Sequence, residues 1–478
     1  MNYRVISHIL GCVINIEAAC MLLPFACALI YNEPNKWIFL ASALLCAVIG
    51  IPLTRIRPKN RAMFAKEGFV AVALSWIVIS ILGAVPFVIS GSIPSFIDAF
   101  FETASGFTTT GASILNDVES LPKSILFWRS FTHWIGGMGV LVFLVALLPL
   151  AGGNNLHLLR AESTGHSVGK LVPKVKSTAK ILYGIYIFLT ILQFILLLGG
   201  GLDWFSSITL TFGTAGTGGF GIKNSSIAEY SPYVQNVITV FMIIFGIDFS
   251  FYYLLLMKRV KTALKMEEVR AYLCIIATAI ILILINIGTS FETVADAVRY
   301  VAFQVASVMT TTGYSTLDYD AWPEFSKIII VFLMFSGACA GSTGGGIKVS
   351  RFLILFKSII KEIKVLTHPK SVVKVKLNGR ALEHETLRGI NVYFIAYMFI
   401  YAIALLIISL DNLDFTTNFT AVAATINNIG PGLGQVGPAC NFLVYSPLSK
   451  FVLTMMMLIG RLEVFPMLVL ISAKTWKK

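Results

Sequence analysis

Charged residues are scarce in this chain. Asp, Glu, Lys and Arg make up 13% of its 478 residues, whereas hydrophobic residues make up 56%. Soluble domains carry about a quarter charged residues, so a soluble protein of this composition would lack the polar side chains that cover a surface. The scarcity of charge excludes a mainly soluble protein and predicts that the lipid bilayer is the solvent for most of the chain.

Enzyme motifs are missing as well. Residues 341–346 are rich in glycine, but Ile347 and Lys348 follow them where a Walker A sequence would continue with Lys and then Ser or Thr, and no strand pattern precedes them. The six His and seven Cys residues show no metal-ligand spacing. The sequence therefore predicts a protein that is not an enzyme and that carries no cofactor.

Basic residues outnumber acidic ones, 37 to 24, which gives a net charge of +13. Such an excess is common in nucleic-acid-binding proteins, but here its distribution favours a membrane protein. Most Lys and Arg lie at the two termini and in alternate loops, at residues 54–67, 151–180, 258–270 and 357–388. This bias marks cytoplasmic segments, and it also attracts anionic lipid. We therefore expect both termini in the cytoplasm, contact with membrane lipid and no nucleic-acid partner.

Long apolar segments recur from one end of the chain to the other. Ten of them come near the ~20 residues that a helix needs to cross the hydrocarbon layer. Their approximate cores are residues 7–30, 36–53, 68–89, 125–150, 181–198, 234–257, 271–287, 328–356, 390–410 and 451–471. The pattern predicts an all-α integral membrane protein with about ten spans.

The eight spans that follow the first two fall into four pairs. Each pair encloses a shorter apolar stretch, too short to span the membrane, and then a turn rich in Gly and Thr. The short stretches begin near Ile97, Asp203, Val294 and Phe415. This unit of helix, short re-entrant helix, turn and helix recurs about every 100 residues, which is the signature of an internal repeat. The predicted units are a two-helix extension at residues 1–66 and four pore repeats at residues 67–178, 179–268, 269–380 and 381–478.

Each predicted repeat has a turn with a central glycine, and we number these glycine turns one to four. They comprise residues 109–113, 217–221, 311–315 and 428–432. Irregular backbone at membrane depth is tolerated where it lines an aqueous cavity or is buried in protein, and glycine lets successive carbonyls face one axis. Four such turns around an axis would form rings of carbonyl oxygens that replace the water shell of a cation. The candidate ligands are Thr109, Thr110, Gly111, Thr217, Gly218, Gly219, Thr311, Thr312, Gly313, Asn428, Ile429 and Gly430.

The chemistry of these turns favours potassium as the cation. No turn contains a carboxylate. Small divalent ions prefer charged oxygen ligands, whereas neutral carbonyls suit a large monovalent ion. The sequence therefore predicts a potassium filter, with the potassium ion as substrate and these residues as its ligands.

The eighth apolar segment is interrupted. Residues 337–346 are almost all small, and glycine is costly inside a helix, so the sequence predicts a loop within the membrane. The alternative is a helix that packs closely through its small residues.

Charged and titratable residues lie inside some of the spans. An arginine at the centre of a span costs about 2.5–3.5 kcal/mol, so Arg461 is expected to face a cavity or a partner, or to pair with a carboxylate such as Glu463. Arg129, His133 and Asp248 are interpreted as packing or interfacial groups.

Several motifs resemble those of the TrkH/TrkG branch of the Trk/Ktr/HKT family of potassium uptake proteins. They are FTTTG at residues 107–111, HWIGGMG at 133–139, RAE at 160–162, TTTGYS at 310–315, GSTGGGIK at 341–348 and NNIGP at 427–431. The resemblance covers essentially the whole chain, and the two extra N-terminal spans are similar to those of TrkH rather than to the shorter KtrB proteins.

The resemblance implies a bacterial inner-membrane protein in which the four turns form one potassium filter per subunit and two subunits form a homodimer. It implies that the interrupted eighth span obstructs the pore beneath the filter and must move for conduction, with an arginine beside the path. The implied gate residues are Gly337, Gly341, Gly344, Gly345, Gly346, Lys348 and Arg461. It also implies a cytoplasmic regulatory ring of the TrkA type, with nucleotide-binding domains, that docks on the basic loops.

Two transport mechanisms stay open at this point. Some relatives that carry sodium have Ser at the first filter glycine, so Gly111 favours potassium, and a fourfold set of carbonyl-lined turns favours a gated channel. The alternative is a potassium–proton or potassium–sodium symporter, because coupled transporters often have a broken helix at the membrane midplane.

Overall fold

The computed structural model describes residues 1–56, 65–147 and 175–477, and these are mostly helical. The N-terminal extension consists of α1 (Tyr3–Cys20), α2 (Leu22–Ile30) and α3 (Trp37–Arg55). Helix α1 packs against α3 and against the first helix of the next unit, so the extension is joined to the rest of the fold. The basic loops predicted at residues 54–67 and 151–180, and the RAE motif at 160–162, lie largely or wholly outside the described residues.

The remaining helices are numbered in chain order and grouped by the four predicted pore repeats. The first unit has α4 (Ala65–Gly83), α5 (Val85–Ile89), α6 (Phe96–Phe107) and α7 (Lys123–Leu147). The second has α8 (Val175–Gly199), α9 (Trp204–Ala215), α10 (Pro232–Phe245), α11 (Phe249–Leu256) and the short α12 (Val260–Leu264). The third has α13 (Glu267–Ile287), α14 (Val294–Met309), α15 (Glu324–Ser336) and α16 (Val349–Thr367). The fourth has α17 (His384–Ile408), α18 (Phe415–Ile426), α19 (Pro447–Arg461), α20 (Phe465–Ile471) and α21 (Ala473–Trp476).

Short 3₁₀ helices connect some of these elements. They comprise Gly288–Ser290, Tyr319–Ala321, Ser409–Asp411, Gly434–Val436 and Phe442–Val444.

The four short helices α6, α9, α14 and α18 begin in the same way. Each has a side-chain N-cap, in which an oxygen accepts a hydrogen bond from a backbone N–H of the first turn. The caps are Ser95, Asp203, Thr293 and Asp414. At 12, 12, 16 and 12 residues, the helices are too short to cross a bilayer at 1.5 Å per residue. They therefore end inside the fold, where the glycine turns follow them.

Within residues 1–56, 65–147 and 175–477, continuous spans are fewer than the ten apolar segments of the sequence. Among the described residues, six helices are long and apolar enough to cross a membrane, or seven if the bent pair α10–α11 is one span. That pair is bent by 88° at Gly246–Asp248, where Asp248 caps α11 through its side chain. The sequence indicated a break in the eighth segment only. The structure also breaks the sixth at this point and the tenth between α19 and α20, where Glu463 and Val464 have positive φ angles.

The break in the eighth segment has the form that the sequence predicts. Helix α15 ends at Ser336, α16 begins at Val349, and residues 337–348 between them form a non-helical segment that we call the inner loop. Gly337, Gly341 and Gly346 have positive φ angles there, which L side chains rarely adopt. The structure thus has a loop where the alternative required a continuous, closely packed helix.

The basic loop that follows α16 is folded. Strands β1 (Lys376–Leu377) and β2 (Arg380–Ala381) form an antiparallel hairpin, with Lys376 opposite Ala381. The turn residues Asn378 and Gly379 both have positive φ, as an Asn-Gly hairpin turn requires. The hairpin contacts the start of α13, since Asn378 Oδ1 accepts a hydrogen bond of 2.8 Å from the N–H of Glu267.

Candidate functional site

The four glycine turns share one backbone conformation. In each turn two residues with positive φ flank a middle residue whose φ is negative. The first flanking residue has a φ of 54–58° in the four turns: Thr109, Thr217, Thr311 and Asn428. The second is a glycine with a φ of 77–102°: Gly111, Gly219, Gly313 and Gly430. The middle residue donates its N–H to a carbonyl of the preceding short helix at 2.8 Å in all four turns, as the pairs Thr110–Ser105, Gly218–Gly213, Thr312–Ser307 and Ile429–Ala424 show. Four turns far apart in sequence therefore hold equivalent atoms in equivalent places.

The turns meet in a closed ring. The glycine Cα of each turn lies against a carbonyl oxygen of the adjacent turn. The four contacts are Gly111 with the oxygen of Gly218, Gly219 with that of Thr312, Gly313 with that of Ile429, and Gly430 with that of Thr110. Each turn thus presents the carbonyl of its middle residue to the glycine of the preceding turn: turn two to one, three to two, four to three, and one to four. The geometry brings together the predicted ligands from all four turns, and the middle residues are buried.

The ring leaves no room for side chains at its glycines. A Cβ atom at Gly111, Gly219 or Gly313 would overlap the carbonyl oxygen of the adjacent turn, and one at Gly430 would lie 2.8 Å from the Thr110 oxygen. Because these glycines also have positive φ, both sterics and backbone conformation require glycine there.

Side-chain hydrogen bonds join two of the turns and stabilise two of them internally. Asn428 Nδ2 of turn four donates to Thr110 Oγ1 of turn one at 2.9 Å. The hydroxyls of Thr108 and Thr110 are 2.8 Å apart, and those of Thr310 and Thr312 repeat this distance in turn three. These bonds join side-chain atoms and use none of the four ring carbonyls.

The inner loop lies directly below the ring. The N–H of Gly345 donates to Thr311 Oγ1 at 2.6 Å, and the Cα of Gly345 lies against the carbonyl of Asn427 and the side chain of Asn428. Gly344 approaches the carbonyl of Thr310 in the same way. The loop therefore covers the inner end of turns three and four.

Two basic side chains hold the inner loop by its carbonyls. The buried Lys348 ammonium donates to the carbonyls of Gly344 and, at 3.1 Å, Gly345. Arg461, at the end of α19, donates to the carbonyl of Thr343 at 2.9 Å and to carbonyls of α7. The inner loop and Arg461 are thus in contact, as the gate interpretation of the sequence expects. Glu463 forms an ion pair with Arg351.

A buried carboxylate holds the inner loop from the other side. Glu268 Oε1 of α13 accepts hydrogen bonds from the N–H of Ala340 at 2.7 Å and of Ser350 at 3.1 Å. Asp248 lies beside Gly341, and the N–H of Phe249 donates to the Gly341 carbonyl at 3.1 Å. The sequence pattern does not single out Glu268 as a functional residue. Its available signal was a carboxylate at the first turn of an apolar helix.

A cavity of about 130 Å³ opens on the face of the ring opposite the inner loop. The glycines of all four turns line it. Above it, Asp117 accepts a hydrogen bond of 2.9 Å from Asn224, and this bond holds the pKa of the exposed Asp117 carboxyl below its ordinary value. An ionised carboxylate near the mouth attracts cations towards the ring.

Comparisons with known proteins show the family to which the chain belongs. The family model described as TrkH, cation transport protein, matches residues 34–478. The chain is 36% identical over 485 residues to the Trk system potassium uptake protein TrkH of Escherichia coli, and 32% identical over 488 residues to TrkG of the same organism, with 99–100% of each chain covered. It also superposes on the crystal structure of the potassium transporter TrkH from Vibrio parahaemolyticus, with a TM-score of 0.90, 33% identity and 100% of both chains covered.

Proposed function

The chain belongs to the TrkH family of cation transport proteins, and from this premise we propose that it takes up potassium through a gated, channel-like pore in a bacterial inner membrane. The relatives are transporters, which supports a role in transport. The observation that carries the proposal is the ring of four equivalent carbonyls, from Thr110, Gly218, Thr312 and Ile429, each fixed by the same backbone geometry.

Potassium is the ion that this ring suits best. Its ligands are neutral carbonyls, and the glycine turns contain no carboxylate that would favour a small divalent ion. A cation leaving water needs its hydration shell replaced by several oxygens at once, and a closed ring held by hydrogen bonds provides them.

Uptake of rubidium tracer into liposomes that contain the purified protein tests the proposed substrate. We expect uptake that unlabelled potassium suppresses and that the same concentration of sodium leaves nearly unchanged. Equal suppression by the two ions would remove potassium selectivity from the proposal.

The inner loop is the proposed gate. It covers the inner end of turns three and four, it is bonded to the buried Lys348 ammonium, and it is held by hydrogen bonds rather than by a continuous helix. Such a loop can move without unfolding a span. The gate residues are the loop glycines, Lys348 and Arg461, with Glu268 as a further clamp.

Replacing Glu268 by Ala is expected to raise the flux through the isolated protein. In the closed state, the change leaves the N–H groups of Ala340 in the inner loop and of Ser350 in α16 without their acceptor. This loss destabilises the closed state by about 1–3 kcal/mol and raises the open fraction by roughly 5- to 150-fold. Glu324→Ala is the control, because that carboxylate is exposed and pairs with Lys327 away from the loop. Flux in Glu268→Ala at or below that of the control would show that the clamp does not hold the gate closed.

A route from the cytoplasm to the gate supports a regulatory partner. The hairpin contacts the N–H of Glu267, and Lys357 pairs with the Glu267 carboxylate and donates to the carbonyl of Lys376 at 2.9 Å. The next residue, Glu268, clamps the inner loop. We propose that a cytoplasmic ring of the TrkA type binds the basic loop at residues 357–388, that its motion reaches the gate along this route, and that the protein works as a homodimer.

Purified protein without any partner is expected to show the same flux with and without ATP. The reason is that nucleotide binding belongs to the proposed ring, and a ligand shifts a gate only through differential binding to its two states. Tracer flux at several ATP concentrations measures this. An ATP response from the isolated chain would contradict the proposed division of labour.

Potassium–proton or potassium–sodium symport is the second candidate. The observation in its favour is a pair of buried carboxylates, Asp248 and Glu268, that contact the inner loop. A coupled transporter needs a titratable or cation-binding group that changes its contacts when the gate moves, and these two carboxylates lie where such a group would act.

A further inference from the structure

Helix α7 connects the first short helix to glycine turn two at two adjacent places. Arg129 and His133 are four residues apart, so they lie on the same face of α7. Both side chains contact α6 on one side and residues 220–221 of turn two on the other. The same two partners are therefore joined twice, one helical turn apart.

The first connection is a buried ion pair. Arg129 Nε lies 2.7 Å from Glu102 Oε1, and their side chains are 3% and 0% exposed. Arg129 Nη1 also donates to the carbonyl of Gly221 at 3.2 Å, and the guanidinium lies 3.9 Å from the centre of the Phe220 ring. Removing one partner of such a pair leaves an uncompensated charge, so the two side chains act as a unit.

The second connection is made by a neutral histidine. His133 Nδ1 is 2.8 Å from the carbonyl of Gly106, which can only accept a hydrogen bond. His133 Nε2 is 3.2 Å from the N–H of Phe220, which can only donate. The proton is therefore on Nδ1 and the ring is neutral. The His133 imidazole also lies directly behind the Cα of Gly218, the residue that contributes the carbonyl of turn two to the ring.

Glu102 extends the connection to the outer end of turn one. Its Oε2 accepts from the N–H of Ile114 at 3.0 Å and from the Ser113 hydroxyl at 3.1 Å. The carbonyl of Ser113 in turn accepts from the N–H of Phe442, beyond turn four, at 2.9 Å. One carboxylate therefore fixes turn one to α7, while α7 fixes turn two.

The charged connection occurs at one corner of an otherwise repeated structure. The equivalent hydrogen bonds between residues 110 and 105, 218 and 213, 312 and 307, and 429 and 424 align the four short helices. In this alignment the residues that correspond to Glu102 are Leu210, Gln304 and Ala421. None of these three residues carries a charge. The backbone of the ring is fourfold, but the support behind it is not.

We propose that Glu102, Arg129 and His133 are positioning residues that set the spacing of glycine turns one and two and thereby determine how well the ring discriminates potassium from sodium. This inference rests on the proposed function, since it assumes that the ring is the filter. Sodium is the smaller ion, so carbonyls that can move inward bind it better. A rigid, buried support behind turns one and two opposes that movement.

The test uses the full-length protein in liposomes and measures the ratio of potassium to sodium permeability. Glu102→Gln and Arg129→Gln each leave one buried charge alone, so the decisive variant is the double change Glu102→Gln/Arg129→Gln, which leaves none. We expect the permeability ratio to fall about tenfold in the double variant, and the two single changes to be strongly non-additive because the pair acts as a unit. The control is Asp296→Asn/Arg299→Gln, which neutralises an ion pair at the start of α14, away from the ring.

The outcomes separate the inference from the proposed function. A lower ratio in the double variant, with a melting temperature like that of the control, supports the positioning role. An unchanged ratio in a protein whose wild type is selective overturns the inference and leaves the proposed function in place. Equal loss of both ion fluxes at constant ratio also overturns it, because that result indicates structural support alone. If the wild-type protein does not discriminate between potassium and sodium, the proposed function itself is contradicted.

Discussion

Replacing Gly111 by Ser is expected to admit sodium to a pore that otherwise carries potassium. Gly111 has a φ of +80°, and a Cβ there would overlap the carbonyl oxygen of Gly218. A residue with a side chain in such a conformation carries strain of about 1–3 kcal/mol, and the overlap must be relieved by moving a carbonyl of the ring. Since 1.4 kcal/mol corresponds to tenfold in an equilibrium constant, we expect the potassium-to-sodium permeability ratio to fall at least about tenfold.

The chain offers a matched control for this change. Gly91 has a φ of +73°, but no atom lies within 4 Å of a Cβ built there. Gly91→Ser therefore introduces the same side chain and comparable backbone strain away from the ring. We expect Gly91→Ser to keep the wild-type permeability ratio. If Gly111→Ser keeps it too, turn one does not form part of the filter.

The second large effect concerns Arg461. Changing it to Ala is expected to raise cation flux about tenfold or more, because hydrogen bonds from a charged group contribute about 1.5–3 kcal/mol each and the closed loop would lose the one to Thr343. The change also removes a positive charge from the region beneath the ring, where it repels the permeating ion. Single-channel recording gives the open probability and the conductance separately, so it distinguishes these two contributions.

Arg259→Ala is the control for Arg461→Ala, since Arg259 is exposed and lies at the start of α12. We expect its open probability to match the wild type. Equal or lower flux from Arg461→Ala, in protein that is folded and inserted in the membrane, would count against the gate.

The glycine turns could be predicted from sequence because their signal is local. A central glycine after a short apolar stretch, repeated four times, reflects a backbone conformation that few other residues adopt. The same reasoning located the inner loop, since several glycines in one span disfavour a helix. The first residues of the turns do not reveal their conformation in the same way. Thr109, Thr217 and Thr311 have positive φ although they are not glycine, because the tertiary structure requires that conformation.

The breaks in the sixth and tenth segments could not be predicted in the same way. Each segment is apolar on average, and the few charged residues in it, Asp248 in the sixth and Arg461 and Glu463 in the tenth, do not by themselves indicate a bend. The sixth break depends on Asp248, whose side chain caps α11. The tenth depends on positive φ at Glu463 and Val464, residue types that give no turn signal. Both breaks lie beside the inner loop or its partners, so the requirement comes from packing around that loop.

Long-range contacts account for the remaining gap between sequence and structure. Glu268 bonds to the N–H groups of Ala340 and Ser350, 72 and 82 residues away. The sequence favours packing or interfacial roles for Arg129 and His133, yet each bridges α6 and a turn some 90 residues further along. No local sequence pattern indicates these contacts, because each side chain by itself is a polar residue in an apolar helix and its partner is far away in the sequence.

The reversal potential of the purified protein in a planar bilayer tests the central claim most directly. With a potassium gradient across the bilayer, we predict a reversal potential near the potassium equilibrium potential. We also predict that it stays there when the pH or the sodium concentration is changed on one side. A reversal potential that moves with the proton or sodium gradient would contradict a potassium-selective pore formed by the four glycine turns and would favour symport through Asp248 and Glu268.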